Sequence, residues 1–473
     1  MRGIFALAAL LVALSPLTLK GQIAAALVLT EGDVIGDSTA VLLNSPFVNG
    51  LGQVGFNVLL EDKSFAIWFD GAVVFNSSSV FSPDLNQTVE STMGFGNAGQ
   101  FAYSPTFDFE DSLRDQNGIV LVEDTQAPGF AAGVNTTFHN APTMTDDGTT
   151  YWLSGFNDGL GGTASVGRIL YRRDPAGNID VIIRSGDSIS GDTVDMSGFG
   201  SDYQFSRDNT NSIIEVDADT GSGADDGRVL VNLTVVAAEG SPAMDASATP
   251  ENDSWDNFRR FTINNAGNYV FSGDTFGAAT TRDEFIAYNG VIQLREGDAI
   301  AQGNLAGFVK GVTLNEGNSL AFVWDLDDGE DQLESLFFAS DASDLTNLTV
   351  VASVDDELDV DGDGVADWVI SDFAAGSVTG ASIALTEDGL IYVAVDLQSV
   401  DGSDFRRAIV AVSAPASDFL LGDVNRDNTV DFDDIAPFIT LLATDAFQVE
   451  ADINQDQSVD FDDIAPFIGL LAG

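Results

Sequence analysis

The sequence contains no cysteine and a single histidine, His139, and only 18 of its 473 residues are lysine or arginine. Without cysteine there are no disulfides, thiolate zinc sites, iron–sulfur clusters or cysteine nucleophiles. One histidine excludes an HExxH motif and any two-histidine metal site. A serine triad would have to use His139, which no nucleophile-elbow sequence accompanies. Set against 74 acidic residues, the scarce basic ones leave a formal charge of −56 and no basic stripe. That balance argues against nucleic acid and anionic membranes as partners, and it suits cation binding and solubility in salt. Long apolar runs are also missing. The stretch Ile4 to Leu14 is too short to span a bilayer. Preceded by Arg2 and followed by Ala24-Ala25-Ala26, it reads as a secretory signal over 1–26, with a membrane anchor as the alternative. Lys20 inside the cleavage region leaves the cut uncertain by several residues. The expectation is a secreted protein, extracellular or bound to a bacterial cell surface, with no membrane span once the signal is removed. Its stability must then come from core burial and metal.

What is present is apolar and turn-rich: 44% hydrophobic residues, 33 phenylalanines and 48 glycines. This is not a disordered acidic chain. From about 27 to 415 it repeats itself. The clearest element is Asn49-Gly-Leu-Gly52-Gln-Val-Gly-Phe56, and further copies begin at Gly96, Thr145, Asp208, Asn264, Asn315 and Thr386, the one at Asp208 being the weakest. Position 1 is mostly a short polar residue able to bond to backbone ahead of it. Position 4 is Gly or Asn in every copy, the residues that tolerate a left-handed backbone. Apolar and aromatic residues follow, as a half-buried strand requires. A second element follows the first six copies: Ile286 to Asp298 around Asn289-Gly290, Ile169 to Gly177 running on to Gly186-Asp187, Ile67 to Gly71, and Asp226-Gly227 leading to Glu239-Gly240. These read as hairpins with Asn-Gly or Asp-Gly turns.

Seven units of three or four short strands, with almost no helical periodicity, predict a mainly β, seven-bladed β-propeller-like domain over 27–415. A β-sandwich pair or an open solenoid is the alternative. The last copy ends at Ile409–Val412 without a Gly-Asp element, and Leu27 to Asp33 carries an unmatched one. An N-terminal strand completing the last blade would close the ring and remove two exposed sheet edges. The repeat resembles a secreted bacterial tandem-repeat family named for its NxxGxxAF motif, met most fully at Asn49–Phe56 and Asn264–Phe271. Members of that family carry different C-terminal anchors, and no catalytic residues follow from the resemblance.

After a small linker around Ala414 to Ser417 come two near-identical units offset by 29 residues. Oxygen ligands at loop positions 1, 3, 5, 9 and 12, with the carbonyl of position 7, make a calcium site. The first unit fills them with Asp423, Asn425, Asp427, Thr429, Asp431 and Asp434. The second does so with Asp452, Asn454, Asp456, Ser458, Asp460 and Asp463. Position 12 is Asp where Glu is usual, and position 6 is Asn428 or Gln457 in place of Gly, which predicts a weaker second loop. Pro437 and Pro466 fit only the first turn of a helix, so helices are expected to start near Ile435 and Ile464. This loop–helix duplication resembles the dockerin type I module over about 420–473. The resemblance implies a small α-helical, calcium-loaded domain over 416–473 that plugs a secreted protein into a cohesin-type receptor or surface scaffold, usually for polysaccharide breakdown. The near identity of the halves implies a pseudo-two-fold surface able to dock in two orientations. A vestigial acidic repeat without metal is the alternative.

A third acidic loop, Asp359-Val-Asp361-Gly-Asp363-Gly364-Val-Ala-Asp367, has carboxylates at positions 1, 3, 5 and 9 and glycine at 6. It resembles the calcium loops of thrombospondin type 3-like repeats and sits in the longest gap between copies. Asp325, Asp327 and Asp331 form a looser cluster, read as a solvated loop. Among 74 acids no catalytic pair can be chosen; a glycosidase needs only two carboxylates about 5–10 Å apart. His139 reads as a loop or strand residue. Trp68, Trp152, Trp255, Trp324 and Trp368 are candidate sugar platforms but fit core packing better. Three functions compete: a noncatalytic propeller binding glycan or protein and tethered by the tail, a glycan-cleaving hydrolase or lyase on the same scaffold, and a structural surface protein. A central pocket with two converging, pKa-shifted carboxylates and exposed tryptophan would favour the enzyme.

Overall fold

The computed structural model describes residues 22–473 except 80–86, 161–163, 197–201, 220–225, 246–249, 328, 330, 362, 374–382, 415–420, 423, 425–429, 445–450, 452, 454–458, 462, 472 and 473. Most of the predicted signal, 1–21, lies outside the described residues. Gln22 to Ala26, assigned above to the same segment, begin the strand Gln22–Thr30.

Among the described residues the strands of 22–413 form seven sheets. Blade 2 shows the plan: Gln87–Phe95, Phe101–Phe107, Glu110–Asp115 and Gly118–Val122 pair in chain order as an antiparallel meander. Blade 3 repeats it with Thr136–Met144, Thr150–Phe156, Gly167–Arg173 and Ile179–Arg184. A central cavity of about 100 Å³ takes wall residues from the first strand of all seven blades: Phe47, Phe95, Met144, Phe205, Phe261, Leu314 and Leu385. Seven meanders around one axis make a seven-bladed propeller.

Closure follows the expected scheme. Gln22–Thr30 pairs antiparallel with Phe405–Ser413, Ala25 opposite Val412 and Thr30 opposite Ala408, and so becomes the outer strand of blade 7. The Gly-Asp element is the turn by which an outer strand leaves for the next blade. Its Asp carboxylate accepts the N–H three residues back, as Asp33 does from Thr30, Asp187 from Arg184 and Asp298 from Arg295. Gly32, Gly186 and Gly297 ahead of these aspartates have φ of 91°, 93° and 79°, a conformation that an L side chain makes costly.

The repeated octapeptide is the turn between the first and second strands. In Asn49, Asn264 and Asn315 the side-chain oxygen accepts the N–H of the fifth motif residue, at 3.0, 3.0 and 2.7 Å. The amide nitrogens of the same three residues donate to the position-1 carbonyl of the next blade, Gly96, Asn315 and Thr386. One buried asparagine therefore closes its own turn and ties two blades together. Position 8 supplies the core: Phe56, Trp152, Phe271 and Phe322 are fully buried.

Two details of the sequence reading are corrected. The fourth copy begins at Ser206, not Asp208: Ser206 N–H bonds to the Asn211 carbonyl and Asn209 N–H to the Ser206 carbonyl. The turn carries one extra residue, and Asn209 takes the left-handed position with φ of 66°. The hairpin of that blade turns at Asn232-Leu233 (φ 50° and 61°), while Asp226-Gly227 only leads into the strand Gly227–Val231. Asn232 suits the first left-handed position, whereas Leu233 occupies the second against its preference.

The C-terminal segment holds two helices, Ile435–Thr444 and Ile464–Leu471, starting where the prolines predicted. They share a small core of Val424, Phe438, Ala451, Val459 and Phe467, in which the Phe438 and Phe467 rings stack 4.2 Å apart. No described helix is long and apolar enough to cross a membrane.

Candidate functional site

At the end of the channel where the seven octapeptide turns meet, position 2 carries the polar traffic. Glu387 accepts the N–H groups of Glu316 and Gly317, Glu316 accepts that of Asn265, and Asn265 accepts that of Asp208. Asp146 accepts the N–H of Gly50, and its own N–H bonds to the Arg207 carbonyl. Arg207, position 2 of the corrected fourth copy, reaches across the axis. Its guanidinium donates to the carbonyls of Asn49 and Leu385 and to Glu387, each at 3.3 Å. Burial pushes the Glu316 carboxyl up to about 7, against the opposing pull of the Asn265 N–H and Arg207. Sequence reasoning missed Arg207 because the fourth copy was read two residues out of register. Phe95, Met144, Phe205 and Leu314 are among the residues that line the cavity below this mouth, and of the acids around Arg207, Glu316 is the one that borders it. A central pair of converging carboxylates beside tryptophan is therefore not what the described residues present.

The third acidic loop lies in a hairpin between Glu357–Asp359 and Trp368–Phe373, both part of the blade 7 sheet. Elsewhere the same connection is a tight turn, as between Ala299–Ile300 and Gly303–Leu314. The structure brings Asp359, Asp361 and Asp363 together, with one carboxylate oxygen of each within 4.8 Å of the others. Gly364 N–H bonds to Asp359 and Val365 N–H to Asp363, with Gly364 at φ 84°. Asp367 is not in this group; its carboxylate accepts the Val360 N–H at 3.0 Å and so closes the base of the hairpin. The oxygen-only donors suit a hard cation such as calcium.

In the C-terminal duplication Asp423, Asn425, Asp427 and Thr429 of the first loop, and Asp452, Asn454, Asp456 and Ser458 of the second, lie outside the described residues. Positions 9 and 12 are described. Asp434 and Asp463 are both 0% exposed, and their carboxylates accept the N–H of Asp431 at 2.9 Å and of Asp460 at 3.0 Å. Phe432 and Phe461 at position 10 are 75% and 80% exposed, and Ile439 and Ile468, at matching places on the two helices, are 56% and 58% exposed.

His139 sits in the strand Thr136–Met144, buried, with Nδ1 2.6 Å from the Ser154 hydroxyl. Burial pulls its pKa down to about 4, so it is a neutral core group. Trp152, Trp255 and Trp324 are core residues, whereas Trp68 and Trp368 are half-buried. Asp325 is not in a solvated loop: it lies in Leu320–Asp327, paired with Lys310 at 3.2 Å.

No family model and no curated protein matches this chain. Among solved structures, it is similar to a BBS1 N-terminal fragment in complex with ARL6 (TM-score 0.34, 10% identity, 84% of this chain and 99% of that one covered). It is also similar to the WD40 domain of SCAP from fission yeast (0.36, 9%, 84% and 91%). A third is a PL25 ulvan lyase bound to -[GlcA(1-4)Rha3S]- (0.36, 11%, 84% and 98%). Likeness at this level lends weight to no function, and the seven-bladed architecture stands on the strand pairing itself.

Proposed function

We propose that the protein is a calcium-dependent attachment protein of the cell exterior. In this reading a seven-bladed propeller head serves extracellular polysaccharide binding, and a dockerin-like tail docks it onto a cohesin-type receptor or surface scaffold. The carrying observation is the pair Asp434 and Asp463, fully buried at equivalent places at the start of two stacked helices. Residues 416–473 contain thirteen acidic residues and one arginine. Position 12 of a loop with Asp or Asn at 1, 3, 5 and 9 is where calcium takes a carboxylate, and so acidic a segment favours a divalent cation. The duplicated exposed pairs Phe432 with Ile439 and Phe461 with Ile468 support a docking face usable from either half. Asp359, Asp361 and Asp363 belong to the same reading as a third calcium loop.

The test is calorimetry on the full chain after chelator treatment. Calcium is expected to bind with a gain of helical circular dichroism. Asp434→Asn and Asp463→Asn should each remove one tail site. Absence of heat at millimolar calcium would overturn the reading. Phe432→Asp or Phe461→Asp alone should leave receptor binding, and only the double variant should abolish it.

A further inference from the structure

Blades 7 and 1 meet in a core that includes Ile409, Ala394, Val54 and Phe56, but part of the seam beside it stays open. A cleft of about 660 Å³ opens there, within the range of about 300–1,000 Å³ that small-ligand sites occupy. Blade 7 lines it with Ala25, Ala26, Ala411 and Ser413 beside the larger Val28, Leu390 and Tyr392, whereas the seam between blades 1 and 2 is packed with Phe65, Phe69, Phe95 and Tyr103. Trp68 of blade 1 and Tyr392 of blade 7 border the opening, both half-buried. The Trp68 plane is fixed by Phe56, whose ring stacks on it at 4.9 Å and 15°. Asp70, Asp359 and Asp361 also line the cleft, and none of its lining residues is basic.

We propose that this cleft binds an uncharged sugar ring of a polysaccharide; this rests on the glycan-binding reading above and names its site and ligand class. The C–H face of a pyranose is apolar and packs on an aromatic ring, while its hydroxyls donate to carboxylate oxygens in charge-assisted bonds. Charge complementarity selects against the alternatives. Asp359 and Asp361 are assigned above to a calcium loop, so Asp70 is the wall carboxylate that a uronate or sulfate would meet, on a chain whose net charge is −56, and like-charge repulsion opposes acidic glycans. Removal of a leader at Ala26 would take Ala25 and Ala26 from the wall together with the pairing of Gln22–Ala24 to Glu357–Asp359, and would leave Trp68 and Tyr392, which lie on Phe65–Phe69 and Leu390–Ser399.

Affinity gel electrophoresis of the full chain against neutral polysaccharides (laminarin, xylan, mannan, starch) and anionic ones (alginate, pectate, carrageenan) tests this. The expected result is retention by at least one neutral polymer, weakened about tenfold or more by Trp68→Ala. Ser413→Trp narrows the cleft without removing a packed side chain and should also weaken retention, which keeps the test valid if Trp68→Ala fails to fold. Neutral-polymer retention that survives both changes overturns the cleft assignment and leaves the glycan reading standing. Retention by anionic polymers alone overturns the ligand class. Retention by none overturns the glycan reading together with the site.

Discussion

Single residues in this ring do more than one task. A buried motif asparagine such as Asn264 satisfies its own turn and a carbonyl of the next blade with one side chain. Neither glutamine nor aspartate offers the same reach and donor together. Other positions are occupied against their preference. Phe109 follows Asp108 in a two-residue hairpin with φ of 51° and 70° and is 82% exposed. An aromatic residue in the left-handed region costs about 1–2 kcal/mol, of which glycine's extra unfolded-state entropy would take back part. Phe109→Gly is therefore expected to stabilise the chain by about 0.5–1 kcal/mol, read as a higher denaturation midpoint with an unchanged slope. At this scale the sequence was legible where Gly or Asn marked a left-handed turn. It was opaque where Leu233 and Phe109 took one, because nothing local announces a strained residue.

At the scale of elements, the octapeptide turn, the Gly-Asp crossover and the two proline-started helices were all readable, since each depends on backbone preferences within a few residues. The fourth copy was placed two residues late. Its turn has one more residue than the others, and only the bonds from Ser206 and Asn209 reveal the register. The tail elements carry a prediction that follows from loop chemistry. The sixth position of a calcium loop makes a sharp turn that glycine adopts freely and glutamine resists. On the proposed calcium reading, Gln457→Gly is expected to tighten the second tail loop by about tenfold or less, seen as convergence of two calcium-binding steps in a titration. Unchanged affinities would show that this position does not limit the second loop.

The whole molecule is a ring, and a ring needs both a closing strand and a means of holding seven turns at one mouth. Arg207 provides part of the second, bridging blades 4, 7 and 1. Arg207→Met should cost about 1.5–3 kcal/mol, the worth of hydrogen bonds to a charged group, and lower the melting temperature without altering the strand content seen by circular dichroism. Acidity is the other global property. Burial raises Asp202, Glu284 and Glu316 to about 7 and Asp217 to about 6. Each binds its proton more tightly folded than unfolded, so the stability it contributes is present at low pH and lost as pH climbs through 6 to 7. His139, lowered to about 4, acts oppositely, its contribution fading only as pH falls from about 6.5. Four groups outweigh one, and protonation also relieves self-repulsion. With chelator present to remove any contribution of divalent cations, the melting temperature should rise from pH 8 to pH 6; a fall would contradict these shifts. The sequence by itself determined the repeat number, the β architecture, the closing strand and the positions of the acidic loops, because turn chemistry and strand patterning act over a few residues. Only the tertiary structure decided that Arg207 spans the channel mouth, that Asp367 closes a hairpin apart from its three neighbours, and that Trp68 and Tyr392 face one cleft. Those relations join residues far apart in the chain, and they arise from how seven blades of unequal side-chain volume settle against one another.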